Sequence, residues 1–171
     1  EMDLEELYAG SYVTSTYGDD GIRRAFERII ALDPSKSDNV GRVARLLAFA
    51  ETWWPPSPTP SGPRTILDVG SGLCVFLHRI KAAGWSCTAL DPDPRAVTHA
   101  RERVGVAAVC GDFLTVEAFG QFDVVTFNKV LEHVRDPVAM LVNAQAHVAP
   151  GGCVDVEVPD GEMARRDGPG R

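Results

Sequence analysis

The spacing of hydrophobic positions divides the chain into two parts. Up to residue 54, apolar side chains recur every three or four positions, which predicts amphipathic helices. The first helix begins after Asp19 or Asp20, either of which can cap it, and the second begins near Asn39 and runs into Trp53 and Trp54. The first should bury Ile22, Phe26, Ile29 and Ile30. The second should bury Val40, Val43, Leu46, Leu47 and Ala50, with Arg42 and Arg45 on its opposite face.

From residue 64 onward, short apolar runs alternate with helical segments. Strands are predicted at 65–69, 86–90, 106–109, 122–127 and 153–158. Helices are predicted at 73–83, at 94–104 and after Asp136, where Val138, Leu141 and Val142 should face inward. Strands that are apolar throughout and separated by helices are typical of parallel sheets covered on both faces. The pattern therefore predicts an α/β domain with a Rossmann-like, doubly wound, mainly parallel sheet.

A proline-rich stretch separates the two parts. Five of the nine residues at 55–63 are proline, which lacks a backbone N–H, so the stretch is neither helix nor central strand. Beyond residue 158 the sequence is polar, contains several glycines and prolines, and shows no periodicity. We expect a helical amino-terminal extension at 1–54, a linker at 55–63, a core domain at 64–158 and a flexible tail at 159–171.

The composition narrows the function classes. The formal net charge is −7, whereas a nucleic-acid-binding domain normally presents a basic face, so we expect no nucleic-acid partner. The sequence lacks a run of about 18 apolar residues, so we expect no membrane span. The cysteines are widely spaced and form no CxxC pair, which favours reduced thiols in a cytoplasmic protein over a zinc site. These cysteines are Cys74, Cys87, Cys110 and Cys153.

The segment from Asp68 to Gly72 carries the first chemical signal. A buried strand runs directly into a tight glycine turn and then a helix. Gly70 and Gly72 can adopt torsions closed to other residues and let a ligand approach the main chain. Open α/β sheets bind ligands at such a switch point. We therefore predict a cofactor site at Asp68, Gly70, Ser71 and Gly72, the alternative being an ordinary strand-to-helix turn.

Charge and size favour one kind of cofactor. Dinucleotide sites need a third glycine where this chain has Val75, so that the helix can pack near a pyrophosphate. A carboxylate at Asp68 would repel phosphate and suits a cation. S-adenosylmethionine carries an ammonium and a sulfonium but no phosphate, and it fits this charge pattern better.

Two further strand ends carry acids. Asp91, followed by Pro92, lies 21 residues after Gly70, where an acid can accept hydrogen bonds from ribose hydroxyls. The alternative is a helix cap, for which Asp93 is the better candidate. After the third strand, Asp112 can accept from an adenine amino group while the Phe113 N–H reaches a ring nitrogen, the alternative being a solvated turn.

Together these motifs resemble those of class I S-adenosylmethionine-dependent methyltransferases. The resemblance spans residues 64–158 and rests on Asp68-x-Gly70-x-Gly72, Asp91, Gly111-Asp112-Phe113, Phe122-Asp123-Val124-Val125, Val130-Leu131-Glu132-His133-Val134 and Pro150-Gly151-Gly152. It implies that loop 70–72 and the Asn128 carbonyl hold the methionine part of the cofactor, Asp91 the ribose, and Asp112 with Phe113 the adenine. We include Pro92 and Lys129 in the predicted site.

The chain departs from the family pattern at three places. Cys74 stands where many members have a third glycine. Lys129 stands where the ubiquinone-biosynthesis O-methyltransferases have an acid implicated in metal binding, so we predict no metal. Class I members usually add two strands after the fifth, but only thirteen residues follow Val158. We therefore expect the carboxy-terminal strands to be missing from this chain.

The resemblance implies in-line displacement at the cofactor's methyl carbon, with a small-molecule acceptor. Because the sulfonium is already an excellent leaving group, much of the acceleration can come from placing the acceptor. His133 is the candidate general base, the alternative being that it only shapes the pocket. Tyr8, Tyr12 and Tyr17 either form a lid over the cofactor or pack on the core.

Two other functions remain open. A nicotinamide-dependent oxidoreductase is disfavoured by Val75 and Asp68. A non-catalytic cofactor-binding or scaffold domain would agree with the expected absence of the last strands.

Overall fold

The computed structural model describes residues 21–54, 62–116 and 120–159. Among these residues two helices come first, α1 at Gly21–Ile30 and α2 at Asp38–Trp53, with a short 3-10 turn at Pro34–Lys36 between them. Helix α1 buries Ile22, Ala25 and Phe26. The predicted caps Asp19 and Asp20, the tyrosines at 8, 12 and 17, most of the linker and nearly all of the tail lie outside the described residues.

The strands form a parallel sheet in the order β3-β2-β1-β4-β5, which confirms the predicted fold class. They are β1 at Thr65–Val69, β2 at Ser86–Asp91, β3 at Ala107–Cys110, β4 at Phe122–Asn128 and β5 at Val148–Glu157. The chain proceeds from β1 to one side through β2 and β3, and then returns to the other side of β1 with β4. The switch point is therefore at the carboxyl end of β1, where the glycine loop begins.

Helices cover both faces of the sheet. Helix α3 spans Val75–Ala82, α4 spans Pro94–His99 and continues as a π-helical turn at Ala100–Val104, and α5 spans Pro137–Ala144. One core cluster joins α1, α2, α3 and α4 to the sheet, and a second joins α5 to the opposite face. Burying a large apolar side chain contributes about 1.5–3 kcal/mol, so these two layers hold the strand ends in place. Within the described residues, we find no helix long and apolar enough to cross a membrane.

The predicted orientation of α5 is wrong. Val138, Leu141 and Val142 are 67%, 37% and 59% exposed, whereas Met140 and Ala144 are buried. The inward face follows the i, i+4 spacing of Met140 and Ala144. The neighbouring Asn143 side chain donates a 2.7 Å hydrogen bond to the Phe113 carbonyl, which fixes the rotation of the helix.

Strand β5 is longer than predicted because it includes Pro150, Gly151 and Gly152, which were expected to precede it. Its register against β4 shifts between Phe122 and Val124. Proline is tolerated because β5 pairs only with β4 among the described strands and is therefore an edge. A Cβ on Gly152 would lie 2.7 Å from the Asp123 carbonyl oxygen, so this close approach to β4 needs glycine. The presence of further strands beyond this edge stays a prediction.

Candidate functional site

The turn after β1 has a backbone that favours glycine. Gly70 and Gly72 have φ angles of 71° and 48°. The N–H groups of Gly70 and Ser71 donate to the Leu90 carbonyl at 2.8 and 3.2 Å, which ties the turn to β2. A Cβ on Gly70 would lie 2.7 Å from Val130 Cγ2, whereas a Cβ on Gly72 would meet nothing within 4 Å. The loop is therefore closely packed at Gly70 and open above Gly72.

The carboxylate of Asp91 braces this loop. Its Oδ2 accepts a 2.8 Å hydrogen bond from the Gly72 N–H, and its Oδ1 accepts a 2.9 Å bond from the Asp93 N–H. Burial raises the pKa of Asp91, since the side chain lies mostly out of solvent. Capping of α4 belongs to Asp93, whose side chain accepts from the Arg95 N–H, so the predicted helix cap is confirmed, and the ribose role of Asp91 stays a prediction. Each carboxylate oxygen has about two acceptor sites, so Asp91 can bind further donors.

Asp68 lies at the end of β1 and is fully buried. Its Oδ1 accepts a 2.9 Å hydrogen bond from Asn128 Nδ2. Burial raises the pKa of Asp68 to about 7, although the bond from Asn128 and the charge of Arg42 oppose the rise. A carboxyl group with this pKa is close to its balance between neutral and charged forms at physiological pH, and a nearby ligand cation would favour the charged form.

Several buried polar atoms around Asp68 lack a hydrogen-bond partner among the described residues. They are Ser71 Oγ, Asn128 Oδ1 and Arg42 Nε. Most buried polar groups in folded proteins are satisfied, so a cluster of orphans at the carboxyl ends of β1 and β4 indicates a place for a polar ligand.

Arg42 was placed on the solvent side of α2 by the sequence pattern, and that prediction is wrong. Its side chain is largely buried, forms an ion pair with Glu157 at the end of β5, and donates from Nη1 to Asn39 Oδ1 at 3.2 Å. Arg45 meets the other oxygen of Glu157 at 2.7 Å and stays exposed, as predicted. The pairing with Arg42 is the main cause of the lowered pKa of Glu157. The signal that could have revealed this pair is the alternation of acids with valines in β5.

The segment after β4 is tied to both neighbouring elements. Lys129 has a left-handed backbone with φ of 56°, and its N–H donates to the Glu157 carbonyl at 2.8 Å. Its Nζ lies 3.8 Å from Asp38 Oδ2 at the start of α2. The next residue, Val130, fills the space beside Gly70. Lys129 therefore lies at the predicted rim, with its side chain directed to α2 and its backbone to β5.

The turn after β3 brings Asp112 and Phe113 to the same edge of the sheet. Asp112 is exposed, and its Oδ1 accepts from the Leu114 N–H at 2.8 Å. Phe113 is 2% exposed and packs edge-on against Phe127 at 5.6 Å between ring centroids. Pro92 is exposed beside Asp91. The Asp112 side chain thus forms a solvated turn, which was the alternative to an adenine contact. The contact of Asp112 with adenine stays a prediction.

His133 ends a 3-10 turn, Leu131–His133, that follows β4. Its side chain is 48% exposed, and its Nε2 lies 3.9 Å from Glu132 Oε1. An ion pair at that distance and exposure is weak, since such surface pairs contribute at most about 1 kcal/mol. The His133 ring is therefore half exposed, and its contact with Glu132 is a weak one.

Cys74 occupies the position of the family's third glycine with φ of 59° and ψ of 21°. This left-handed backbone is the one that glycine adopts without strain, and the buried thiol packs in the core instead of leaving the loop open. All four cysteines are free. Within residues 21–54, 62–116 and 120–159, no three histidine, cysteine or acidic side chains are grouped as a metal site.

The sheet has a doubly wound order, the glycine loop lies at its switch point, and acids lie at two strand ends. These features define an α/β domain that binds a small cofactor beyond the carboxyl ends of its strands. A sequence model described as methyltransferase domain matches residues 67–154, just over half of the chain. This chain belongs to that methyltransferase domain family.

Curated relatives carry the name ubiquinone biosynthesis O-methyltransferase. The chain is 29% identical over 161 residues to the one from Caulobacter sp. strain K31, with 72% of this chain and 64% of the relative covered. It is 36% identical over 98 residues to that of Pseudomonas paraeruginosa strain DSM 24068 / PA7, covering 53% and 42%. The chain thus spans less than two thirds of the length of these relatives.

Solved structures share the fold at low identity. CalS10, an amino pentose methyltransferase from Micromonospora echinaspora solved with its cofactor bound, superposes with a TM-score of 0.62 at 23% identity, covering 80% of this chain and 56% of that one. The N-methyltransferase NodS from Bradyrhizobium japonicum gives a TM-score of 0.53 at 20% identity, covering 78% and 70%.

Proposed function

We propose that this domain binds S-adenosylmethionine at the carboxyl ends of β1, β2 and β4 and takes part in methyl transfer to a small-molecule acceptor. The observation that carries the proposal is the pair of buried carboxylates, Asp68 and Asp91, on either side of a glycine loop that is open above Gly72. Membership of the methyltransferase domain family supports it.

The methionine end of the cofactor fits the group around Asp68. The Asp68 carboxylate suits the ammonium, and the orphaned Asn128 Oδ1 and Ser71 Oγ supply further acceptors. The guanidinium of Arg42 has a buried Nε without a partner among the described residues, which suits the cofactor's carboxylate. The backbone at Gly70 and Asn128 completes this end, with Lys129 beside it.

The nucleoside end fits the ends of β2 and β3. Asp91 keeps acceptor capacity for ribose hydroxyls while it braces Gly72. We assign Pro92 to one side of the adenine, and Asp112 with the Phe113 N–H to its edge. In this arrangement the cofactor lies across the switch point of the sheet.

A dinucleotide fits less well. Val75 stands where the third glycine of a dinucleotide loop would be, and it is 5% exposed and packed into the core. Its side chain prevents the close approach of helix and pyrophosphate that the third glycine permits. The two buried carboxylates beside the loop would also repel phosphates.

When bound, the cofactor supplies a methyl group on a sulfonium. The protein's task is then to orient the acceptor and exclude water, and correct placement can supply about 7–11 kcal/mol of the barrier. We propose that His133 shapes the acceptor side rather than acting as the base, because its ring is half exposed and its Glu132 contact is long.

A small-molecule acceptor is supported by the names of the relatives and of the solved structures. The relatives are named for O-methylation and the structures for sugar or N-methylation, so hydroxyl and amine acceptors both belong in a screen. The net charge of −7 disfavours a nucleic-acid acceptor.

The test is calorimetry with S-adenosylmethionine, S-adenosylhomocysteine and a nicotinamide dinucleotide, followed by label transfer to small hydroxyl and amine acceptors. We expect binding of the first two only, and transfer that is equal with and without chelator. His133→Gln should then change turnover and cofactor affinity by similarly small factors. Preferential dinucleotide binding would contradict the cofactor assignment, and binding without transfer to any acceptor would favour the scaffold alternative.

A further inference from the structure

Apart from the candidate cofactor site, a cleft lies on the α3 side of the sheet, between α1 and α4. Its volume is about 430 Å³, and its polar lining consists of Arg23, Arg95, Thr98, His99 and Arg103. None of these residues belongs to the glycine loop or to the proposed cofactor contacts. The cleft is therefore a separate feature of the molecule, and the proposal made for it goes beyond the proposed function.

The spacing of the lining residues explains how they converge. Arg95, His99 and Arg103 follow one another at intervals of four residues along α4 and its continuation. The continuation at Ala100–Val104 is a π-helical turn, whose i→i+5 pairing widens the helix so that a four-residue interval keeps Arg103 on the same face. Arg23, in the first turn of α1, faces them from across the cleft.

The cleft is rich in positive charge. Its described lining contains three arginines and no carboxylate. Arg95 pairs with Asp93 at 2.8 Å, and Arg23 makes a long 3.4 Å contact with Glu27 at an exposed i, i+4 position. The Arg103 side chain forms no ion pair or hydrogen bond with any described residue. Because both oxygens of Asp93 hold Arg95, the charge that lacks a close carboxylate among the described residues is mainly that of Arg103, with Arg23 only weakly paired, and an anion in the cleft would compensate this charge.

His99 adds a polar atom to the wall without adding charge. The side chain is 6% exposed and packs edge-on against Phe26 at 4.9 Å between ring centroids. Burial lowers the pKa of His99 and so favours the neutral ring, although a hydrogen bond to the Leu73 backbone opposes the shift. Its Nε2 is buried and has no partner among the described residues. Because the other ring nitrogen donates to a carbonyl, Nε2 is an acceptor whose hydrogen-bonding capacity is unused among the described residues.

We infer that this cleft binds a small molecule carrying a phosphate group. Guanidinium groups match phosphate oxygens in bidentate geometry, and arginine keeps its charge at every physiological pH. A protein of net charge −7 does not attract phosphate in general, so attraction here must come from the local cluster. Three arginines in a cleft of this size fit a compact phosphate rather than the extended backbone of a nucleic acid.

The test uses inorganic pyrophosphate as the probe, with calorimetry and thermal melts at constant ionic strength set by sodium chloride. Wild-type protein should bind pyrophosphate and melt at a higher temperature in its presence. The double variant Arg23→Gln/Arg103→Gln should weaken binding by at least about tenfold, because each change removes a charge-assisted contact. Arg28→Gln is the matched control, since Arg28 lies in the last turn of α1 outside the cleft. It should weaken binding less than about twofold.

Melts without pyrophosphate show whether each variant is folded, and all three arginines are replaced by the same uncharged polar residue. Ribose 5-phosphate in place of pyrophosphate distinguishes a phosphate ester from the free anion, and tighter binding of either one supports the site. The site would be overturned if pyrophosphate had no effect on the wild type beyond that of chloride, or if the control and the double variant lost equal pyrophosphate affinity. It would also be overturned if a single-stranded oligonucleotide bound more tightly than pyrophosphate in a way that depends on these arginines. S-adenosylmethionine titrations on the same samples keep the failure of this site distinguishable from failure of the proposed function.

Discussion

The backbone N–H of Gly72 donates a 2.8 Å hydrogen bond to Oδ2 of Asp91, and this bond joins the glycine loop after β1 to the end of β2. One carboxylate thus holds the loop in shape and remains available to a ligand above it. The shape of the candidate site and its affinity for a cofactor are therefore coupled through a single side chain, and the first prediction follows from this coupling.

Asp91→Ala should weaken S-adenosylmethionine binding by about 1.5–3 kcal/mol, roughly tenfold to more than a hundredfold, because hydrogen bonds to a charged group are lost. Asp91→Asn keeps one acceptor oxygen and should give an intermediate loss. Calorimetry measures both. Asp136→Ala is the control: it removes the cap of α5, and should lower the free energy of unfolding by about 1 kcal/mol without changing cofactor affinity. Unchanged affinity in Asp91→Ala would remove the central residue of the site.

The stability of the protein should depend on pH through Asp68. Its pKa is raised to about 7 in the folded chain, against about 3.9 when unfolded, so between these values the folded state holds a proton that the unfolded state releases. The contribution of Asp68 to the free energy of unfolding is therefore fully present below about pH 4 and is lost as pH rises to 7. Over that range the free energy of unfolding falls by roughly 4 kcal/mol through this group.

Asp68→Asn cannot titrate, which makes it the reference for this effect. Denaturant melts at pH 4.5, 6.0 and 7.5 should show the free energy of unfolding of wild type falling relative to that of the variant as pH rises. Parallel pH profiles for the two proteins would mean that Asp68 does not retain its proton. A bound ammonium should favour the charged carboxylate, so S-adenosylmethionine affinity of wild type should rise with pH through this range, and that of Asp68→Asn should not.

Cys74 allows a test of backbone strain. Both Cys74→Gly and Cys74→Ala remove the thiol, but only glycine relieves the left-handed torsion of this residue. Cys74→Gly should therefore be more stable than Cys74→Ala by about 1 kcal/mol, the reverse of the usual order at ordinary positions. Thermal and urea melts of the two variants give the comparison. A more stable alanine variant would show that the loop relaxes to another conformation.

Because Val130 fills the space beside Gly70, substitutions at these two residues should have non-additive effects on the free energy of unfolding. Gly70→Ala should destabilise the fold, because its Cβ would lie 2.7 Å from Val130 Cγ2 and φ is 71°. Val130→Ala removes the clash but not the torsional cost, so the double variant should recover only part of the loss. A double-mutant cycle should give a coupling of about 0.5–3 kcal/mol. Additive effects would show that the segment after β4 moves freely away from the loop.

Local sequence was sufficient for the positions of β1 to β4, the glycine loop and the cap at Asp93, because each depends on neighbours a few residues away. Glycine torsions, an Asp side chain that accepts from the backbone two residues later, and apolar runs of strand length are all local properties. The parallel order brings the ends of β1, β2 and β4 together, which agrees with the placement of Asp68 and Asp91 at strand ends, whereas Asn128 was included only through the family resemblance.

Side-chain surroundings were decided by tertiary packing. Helical periodicity placed Arg42 in solvent, but its partner Glu157 lies 115 residues away, and their pairing depends on where α2 crosses the end of β5. Likewise α5 has apolar residues around most of its surface, so its period alone could not choose between Val138 and Met140 as the inward position. The sequence by itself determined the elements, their order and the acids at the strand ends, because these rest on short-range preferences. The partners of Arg42 and the buried face of α5 rest on contacts between distant segments, which exist only once the sheet has formed.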